Sequence, residues 1–117
     1  MKGPVNRRAV ARADVPLTLV GLPGSALLAA GSEAGLKTAA EGFCDRAYEP
    51  DGSLRSRTLK GALISDPDKC ARQAVELASG GRVQTLCIHG DTPGAARIAL
   101  AVTAALRAAG FTIAAPR

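Results

Sequence analysis

The only histidine of this 117-residue chain lies in a segment whose residue types suit proton transfer. His89 follows a predicted strand over residues 83–88, and Asp91 stands two positions further on. Thr92 and Pro93 suit the cap and the first turn of a helix, whose free backbone N–H groups favour an anion. The carboxyl end of a strand is where α/β enzymes place their reacting groups. The segment therefore predicts a proton carrier, a carboxylate and an anion site close together.

A second segment places opposite charges at the end of another predicted strand. Residues 38–44 form that strand, Asp45 and Arg46 follow it, and Arg57 lies in the loop beyond. Arginine can bind a carboxylate or a phosphate through two parallel hydrogen bonds, while a nearby acid remains free for proton transfer. Opposite charges side by side are also common in surface ion pairs. The charges alone leave a binding site and a surface ion pair as equal alternatives.

A glycine turn at residues 21–25 is a weaker candidate for an anion site. It ends a predicted strand over residues 17–20 and opens a helix that Ser25 can cap. The turn matches neither a P-loop nor a dinucleotide-binding fingerprint. The sequence therefore allows an anion to bind its backbone without specifying one.

The predicted elements alternate as they do in a mainly parallel α/β sheet with right-handed crossovers. Strands are predicted at residues 17–20, 38–44, 61–65, 83–88 and 111–114. Helices are predicted from residue 26 to near residue 36, from about 66 to 79 and from 93 to 109, with a turn at residues 49–52. The middle helix has one apolar face, formed by Cys70, Ala74, Leu77 and Ala78. Its opposite face is polar and predicted to be exposed to solvent, with Lys69, Arg72, Gln73 and Glu76. The apolar stripe of the last helix includes Ile98, Val102 and Leu106.

Composition limits the class of protein. The chain is 47% hydrophobic and only 3% aromatic, which predicts a folded domain whose core is thin. Its net charge of +5 comes largely from basic residues in the segment 1–14. The sequence has neither the aromatic residues that stack on bases nor a known nucleic-acid-binding motif, so nucleic-acid binding is not expected. No apolar run suits a signal sequence or a membrane span, so the expected location is the cytoplasm.

Three widely spaced cysteines, Cys44, Cys70 and Cys87, predict neither a disulfide framework nor a zinc ribbon. The predicted helix and strand make Cys70 and Cys87 small buried hydrophobes in a reducing compartment. A single histidine with scattered acids makes a complete metal site within this chain unexpected.

Taken together, these segments resemble the LamB/YcsF family, the A subunits of bacterial ATP-dependent 5-oxoprolinases. The resemblance rests on residues 21–25, on Glu41-x-Phe43-x-Asp45-Arg46-x-Tyr48 with Asp51-Gly52-x-Leu54-x-x-Arg57, and on Cys87-x-His89-Gly90-Asp91-Thr92. It covers residues 15–113, with Cys44 where the family usually has alanine. The amino-terminal half of the family, with its own histidine segments, is missing from this sequence. The resemblance therefore implies that residues 15–117 form the carboxyl-terminal part of an incomplete β/α barrel of the glycoside hydrolase and deacetylase type.

The same resemblance implies hydrolysis of the lactam of 5-oxoproline to L-glutamate, with ATP consumed and the B and C subunits as partners that share the reaction. A lactam is a stable amide, so its hydrolysis needs acid and base groups as well as cations for phosphate and carboxylate. The implied catalytic residues are Asp45, His89 and Asp91. The implied residues for binding substrate or phosphate are Arg46, Arg57, Ser25 and Thr92.

Two other classes of function remain open. The chain could be a structural half that completes a barrel with the missing amino-terminal half, or by self-association, and has no activity alone. It could also be a small α/β module that binds anionic metabolites. For the two residues themselves, the alternative is that His89 only caps or orients a loop and that Asp91 only stabilises the start of a helix.

Overall fold

The computed structural model describes residues 17–115 as a mainly parallel α/β structure. The predicted basic lead at residues 1–14 lies outside that range. The strands are β1 (Thr18–Gly21), β2 (Lys37–Phe43) and β3 (Thr85–Cys87). The helices are α1 (Ala26–Glu33), α2 (Pro67–Ser79) and α3 (Ala95–Ala108). Within these residues the three strands form one sheet in the order β1-β2-β3, and every pair is parallel.

The register of β2 and β3 brings two distant parts of the chain to one edge of the sheet. Phe43 stands opposite Cys87 at the carboxyl ends of the two strands. Asp45 and His89 each follow two residues later, so both lie at the same end of the sheet. The sheet register thus places the two candidate segments side by side before any side-chain contact is considered.

The start of α1 and its contact with the sheet follow directly from the sequence. Ser25 caps the helix, as predicted, because its side-chain oxygen accepts a hydrogen bond from the Leu28 N–H at 3.3 Å. Gly31 is the buried residue of this helix, and a Cβ atom there would collide with the Leu19 side chain of β1. The absence of a side chain at Gly31 therefore lets α1 lie close to the sheet.

The core lies where α2 and α3 pack on each other and on the end of β2. Its buried members are Cys44, Cys70, Ala74, Ile98, Val102 and Leu106. The predicted apolar faces of both helices are confirmed at these positions. α2 also begins as predicted, since the Asp66 side chain caps it and Pro67 occupies the first turn. Half of these residues are cysteine or alanine, and little apolar area is removed from water at those positions.

The predicted strand at residues 61–65 is wrong. Leu63 makes only an isolated antiparallel bridge with Arg46, and the Ile64 N–H donates to the Asp45 carbonyl oxygen at 2.9 Å. The segment therefore folds back on the chain that leaves β2 instead of joining the parallel sheet. Its apolar pattern reflects packing against the helices, because Ala62 is buried and Ile64 lies against the core.

The predicted strand at residues 111–114 is also wrong. The Phe111 N–H closes the end of α3 by donating to the Leu106 carbonyl oxygen, after Gly110 with its φ of +93°. Gly110 does end the helix as predicted, but the following residues pair with no strand in the described part of the chain. β3 is likewise shorter than the predicted 83–88, because only residues 85–87 pair with β2.

Candidate functional site

Asp45 is a fully buried carboxylate held by hydrogen bonds from the chain beyond β3. Its Oδ2 atom accepts from the His89 backbone N–H at 2.7 Å and from the Thr92 hydroxyl at 2.7 Å. Its Oδ1 atom lies 2.9 Å from His89 Nδ1. Burial by itself raises the pKa of the carboxyl, but the hydrogen bonds from Thr92 and His89 outweigh it and lower the pKa below its usual value. Asp45 is therefore an ionised group inside the protein.

The ionised Asp45 fixes which nitrogen of His89 carries a proton. A carboxylate can only accept hydrogen bonds, so Nδ1 must donate, and Nε2 of the neutral ring is left as an acceptor. The ring makes a T-shaped contact with the Phe43 ring, with ring centres 4.7 Å apart and planes at 76°. No other described residue bonds Nε2, and 28% of the side chain is exposed. The ring is thus held at Nδ1 by Asp45, and Nε2 remains free to accept a hydrogen bond.

Thr92 serves this carboxylate and does not cap α3. The prediction that Thr92 caps a helix beginning at Pro93 is wrong, because α3 begins at Ala95 with Gly94 as its N-cap. Gly94 has a left-handed φ of +75° and makes no side-chain capping bond. The Thr92 hydroxyl donates its proton to Asp45, and a hydrogen bond to an ionised oxygen is stronger than one between neutral groups.

Arg46 directly follows Asp45 in the sequence and is a buried cation. Not all of its N–H groups have hydrogen-bond partners in the described part of the chain. Only 7% of the residue is exposed. Its Nη2 atom donates to the Arg55 carbonyl oxygen at 3.2 Å, while its buried Nε has no hydrogen-bond partner among residues 17–115. The Nε–H group of Arg46 is thus an unused donor among the described residues.

The structure does not bring the remaining predicted site residues into this cluster. Asp91 and Arg57 are exposed, and neither bonds Asp45, Arg46 or His89. Ser25 lies at the start of α1, with its hydroxyl oxygen engaged in capping. The cluster that is present therefore consists of Asp45, His89 and Thr92, with Arg46 beside it.

Two residues that support the cluster were not predicted from the sequence. Tyr48 accepts a hydrogen bond from the Phe43 N–H at 2.8 Å, and burial raises the pKa of its hydroxyl. The helical periodicity predicts that Gln73 lies on the solvent-exposed face of α2. Its side chain instead donates hydrogen bonds to backbone carbonyl groups near Asp45. The position of Gln73 directly before buried Ala74 was the one available signal, because a polar residue at the border of an apolar face can reach inward.

Metal-binding and membrane-spanning features are both missing from residues 17–115. No group of three or more His, Cys, Asp or Glu side chains in this range is arranged to hold a metal ion. None of the helices in the same range is long and apolar enough to cross a membrane.

The fold and the site define a mainly parallel α/β protein with a histidine and a buried carboxylate at the carboxyl ends of neighbouring strands. The chain belongs to the LamB/YcsF family, whose model matches residues 5–117. The resemblance inferred from the sequence motifs is thereby confirmed.

Named relatives agree with this family. The 5-oxoprolinase A subunit of Chloroflexus aggregans is 48% identical over 122 residues, which cover 94% of this chain and 48% of the relative. That of Streptomyces griseus is 46% identical, covering 81% of this chain and 43% of the relative. The crystal structure of the lactam utilization protein from Thermus thermophilus matches with a TM-score of 0.79 at 37% identity, over 89% of this chain and 46% of that one. The chain thus spans about half the length of these relatives.

Proposed function

We propose that this chain is the carboxyl-terminal part of the A subunit of an ATP-dependent 5-oxoprolinase, and that His89, held by Asp45, transfers protons during hydrolysis of the lactam. The observation that carries the proposal is the buried carboxylate of Asp45, which holds Nδ1 of His89 and leaves Nε2 without a protein partner in the described residues. The names of the relatives supply the substrate class. We refer to these two residues below as the Asp45/His89 pair.

The pair has the arrangement that general acid–base catalysis requires. Hydrolysis adds water to the lactam carbonyl carbon, breaks the ring C–N bond and gives the nitrogen a proton, which yields L-glutamate. Nε2 of His89 is proposed to take the proton from water and to return it to the leaving nitrogen. Asp45 keeps the ring oriented and stabilises the imidazolium while it carries that proton. The exposed Asp91 stays a predicted second proton carrier.

Two arginines are the proposed contacts for the anions of this reaction. ATP, which the whole enzyme is proposed to consume, would supply a phosphoryl group that makes the lactam carbonyl a better electrophile. Arg46 fits an anion because its buried Nε lacks a partner within the described residues, and exposed Arg57 is the second proposed contact. Ser25 and Thr92 fit this role less well, since both hydroxyls already have partners within the protein.

Completion of the fold is part of the proposal. The relatives are about twice as long as the matched region, and β1 and β3 each have a neighbour on one side only within residues 17–115. An amino-terminal half, in the same chain or in another, is proposed to add strands and complete a partial β/α barrel. The B and C subunits are the proposed partners of the completed protein. Residues 1–117 by themselves are expected to be inactive, because they match only about half of the length of the relatives.

Reconstitution tests the proposal. The chain would be assayed for glutamate formation from 5-oxoproline, alone and after co-expression with the amino-terminal half of the Chloroflexus aggregans relative together with the B and C subunits from that organism. We expect ATP-dependent turnover only in the full mixture. A mixture without this chain is the control for background activity. Turnover by the isolated chain, or a correctly assembled mixture that forms no glutamate, would contradict the proposal.

The unpartnered Nε of Arg46 favours one further candidate, an anion-binding module without turnover. Titration of the chain with inorganic phosphate and with 5-oxoproline separates this candidate from the enzyme. Two results together would favour the module. The wild type would bind one of these anions and Arg46→Gln would not, and the fully assembled complex would form no glutamate.

A further inference from the structure

Gln73 of α2 bonds the backbone on both sides of Asp45. Its Nε2 atom donates hydrogen bonds of 2.7 Å to the carbonyl oxygens of Phe43 and Arg46, and lies 3.5 Å from that of Cys44. Carbonyl oxygens only accept hydrogen bonds, so the amide nitrogen of Gln73 must face them and its amide oxygen must face away. The two strong bonds use both N–H groups of the amide. One helical side chain therefore joins the carbonyl group of Phe43, two residues before Asp45, to that of Arg46, the residue after it.

These bonds fall where the backbone departs from the sheet. β2 ends at Phe43, and the following carbonyl groups need donors from outside the strand. The Ile64 N–H serves the carbonyl of Asp45, and the Arg55 N–H serves that of Ala47. Gln73 supplies the donors for the carbonyls on either side of Asp45. The irregular turn that carries the carboxylate is thus fixed by α2 as well as by its own loop.

We infer that Gln73 is the positioning residue of the Asp45/His89 pair; its importance for turnover rests on the proposed function. Gln73 makes no hydrogen bond with the carboxylate or the imidazole, so it acts through the backbone of residues 43–46. Without its amide, two carbonyl groups lose donors and the strand end is free to move. Because the carboxylate is fully buried, such a movement changes its distance from Nδ1 and cannot be offset by solvent.

The single histidine of the chain makes this inference measurable without any activity assay. Ring ¹⁵N NMR spectra report which nitrogen of His89 carries the proton, and no second histidine overlaps them. In the wild type we expect the Nδ1–H form to predominate, because Asp45 accepts a hydrogen bond from that nitrogen. A displaced carboxylate releases Nδ1, and the ring then shifts toward the Nε2–H form.

Three variants give the test. Gln73→Met has nearly the same shape without donors, and Gln73→Lys keeps a nitrogen donor. Val75→Ala removes apolar contacts of the same helix with the core but no hydrogen bond to residues 43–46. We expect Gln73→Met to lose the predominance of the Nδ1–H form and Gln73→Lys to retain it. Val75→Ala should lower the melting temperature and leave the ring spectrum unchanged. Gln73→Asn, one methylene shorter, replaces Gln73→Met if that variant does not fold.

Opposite results would overturn the inference. These are a wild-type ring spectrum in Gln73→Met, the same spectral change in Val75→Ala, or a Gln73→Lys spectrum like that of Gln73→Met. In the reconstituted complex we expect Gln73→Met to lower kcat on the order of 10²-fold with little change in KM. A shifted ring spectrum with wild-type turnover would contradict the proposed function and leave the positioning role of Gln73 intact.

Discussion

Asp45 and His89 are 44 residues apart in the chain and make three close polar contacts with each other. His89 Nδ1 lies 2.9 Å and 3.1 Å from the two carboxylate oxygens, and the His89 backbone N–H donates to Oδ2 at 2.7 Å. The parallel register of β2 and β3 produces this pairing, since Phe43 stands opposite Cys87. A backbone contact and a side-chain contact between the same two residues fix the imidazole in both position and orientation.

Replacement of His89 tests its chemical role. In the reconstituted complex, His89→Ala should lower kcat by about 10²- to 10⁴-fold, because the proposed proton carrier is lost. Its free energy of unfolding should fall by about 1.5–3 kcal/mol, because the buried Asp45 carboxylate loses the hydrogen bond from the ring. Arg72→Gln, an exposed change on α2, is the matched control and should keep wild-type turnover. Glutamate formation and urea unfolding are the two measurements, and unchanged kcat in His89→Ala would show that the chemistry lies elsewhere.

Thr92 is expected to contribute to stability through its bond to the buried carboxylate. Thr92→Val keeps the shape of the side chain but removes the donor at 2.7 Å from Oδ2. The free energy of unfolding should fall by about 1.5–3 kcal/mol, the usual value of a hydrogen bond to a charged group. Thr92→Ser keeps the hydroxyl and should lose much less. Equal urea midpoints for Thr92→Val and the wild type would argue against this bond.

The lowered pKa of Asp45 predicts a dependence of stability on pH. The carboxyl takes up its proton at a higher pH in the unfolded chain than in the folded one, so acid favours unfolding. The contribution of Asp45 is complete above its unfolded pKa of about 3.9 and is lost as the pH falls through the lower folded pKa. Urea midpoints measured from about pH 6 down to about pH 2.5 should decline more for the wild type than for Asp45→Asn. Parallel curves for the two proteins would refute this assignment.

The cysteines are expected to be unreactive in the folded protein. Burial, with the charge of Asp45, raises the pKa of the Cys44 thiol to about 12, and burial also raises the pKa values of Cys70 and Cys87. Thiolates are the reactive form, so iodoacetamide at about pH 8 should modify Cys44 and Cys70 far more slowly in buffer than in urea. Mass spectrometry of the peptides measures each site. Rapid labelling of Cys44 in buffer would mean that its surroundings are open to solvent.

Local sequence was sufficient to determine several elements and the place of the histidine. The cap at Asp66 with Pro67 defined the start of α2, and the run of residues 38–44 defined β2, because caps and apolar periodicity act over a few neighbouring residues. His89 could be placed at the end of a strand for the same reason. The resemblance to the LamB/YcsF family also came from short motifs and was confirmed.

Only the tertiary structure decided what the polar side chains bind. Thr92 was predicted as a helix cap and Gln73 as a surface residue, since each pattern considers only near neighbours. Their actual partners are far away: Thr92 bonds Asp45 across 47 positions, and Gln73 bonds Phe43 across 30. A buried carboxylate and carbonyl groups beyond the end of a strand both require hydrogen-bond donors, and leaving such groups unpaired costs free energy. Which donors can reach them is set by the parallel register and by the packing of α2, and no local pattern contains that information.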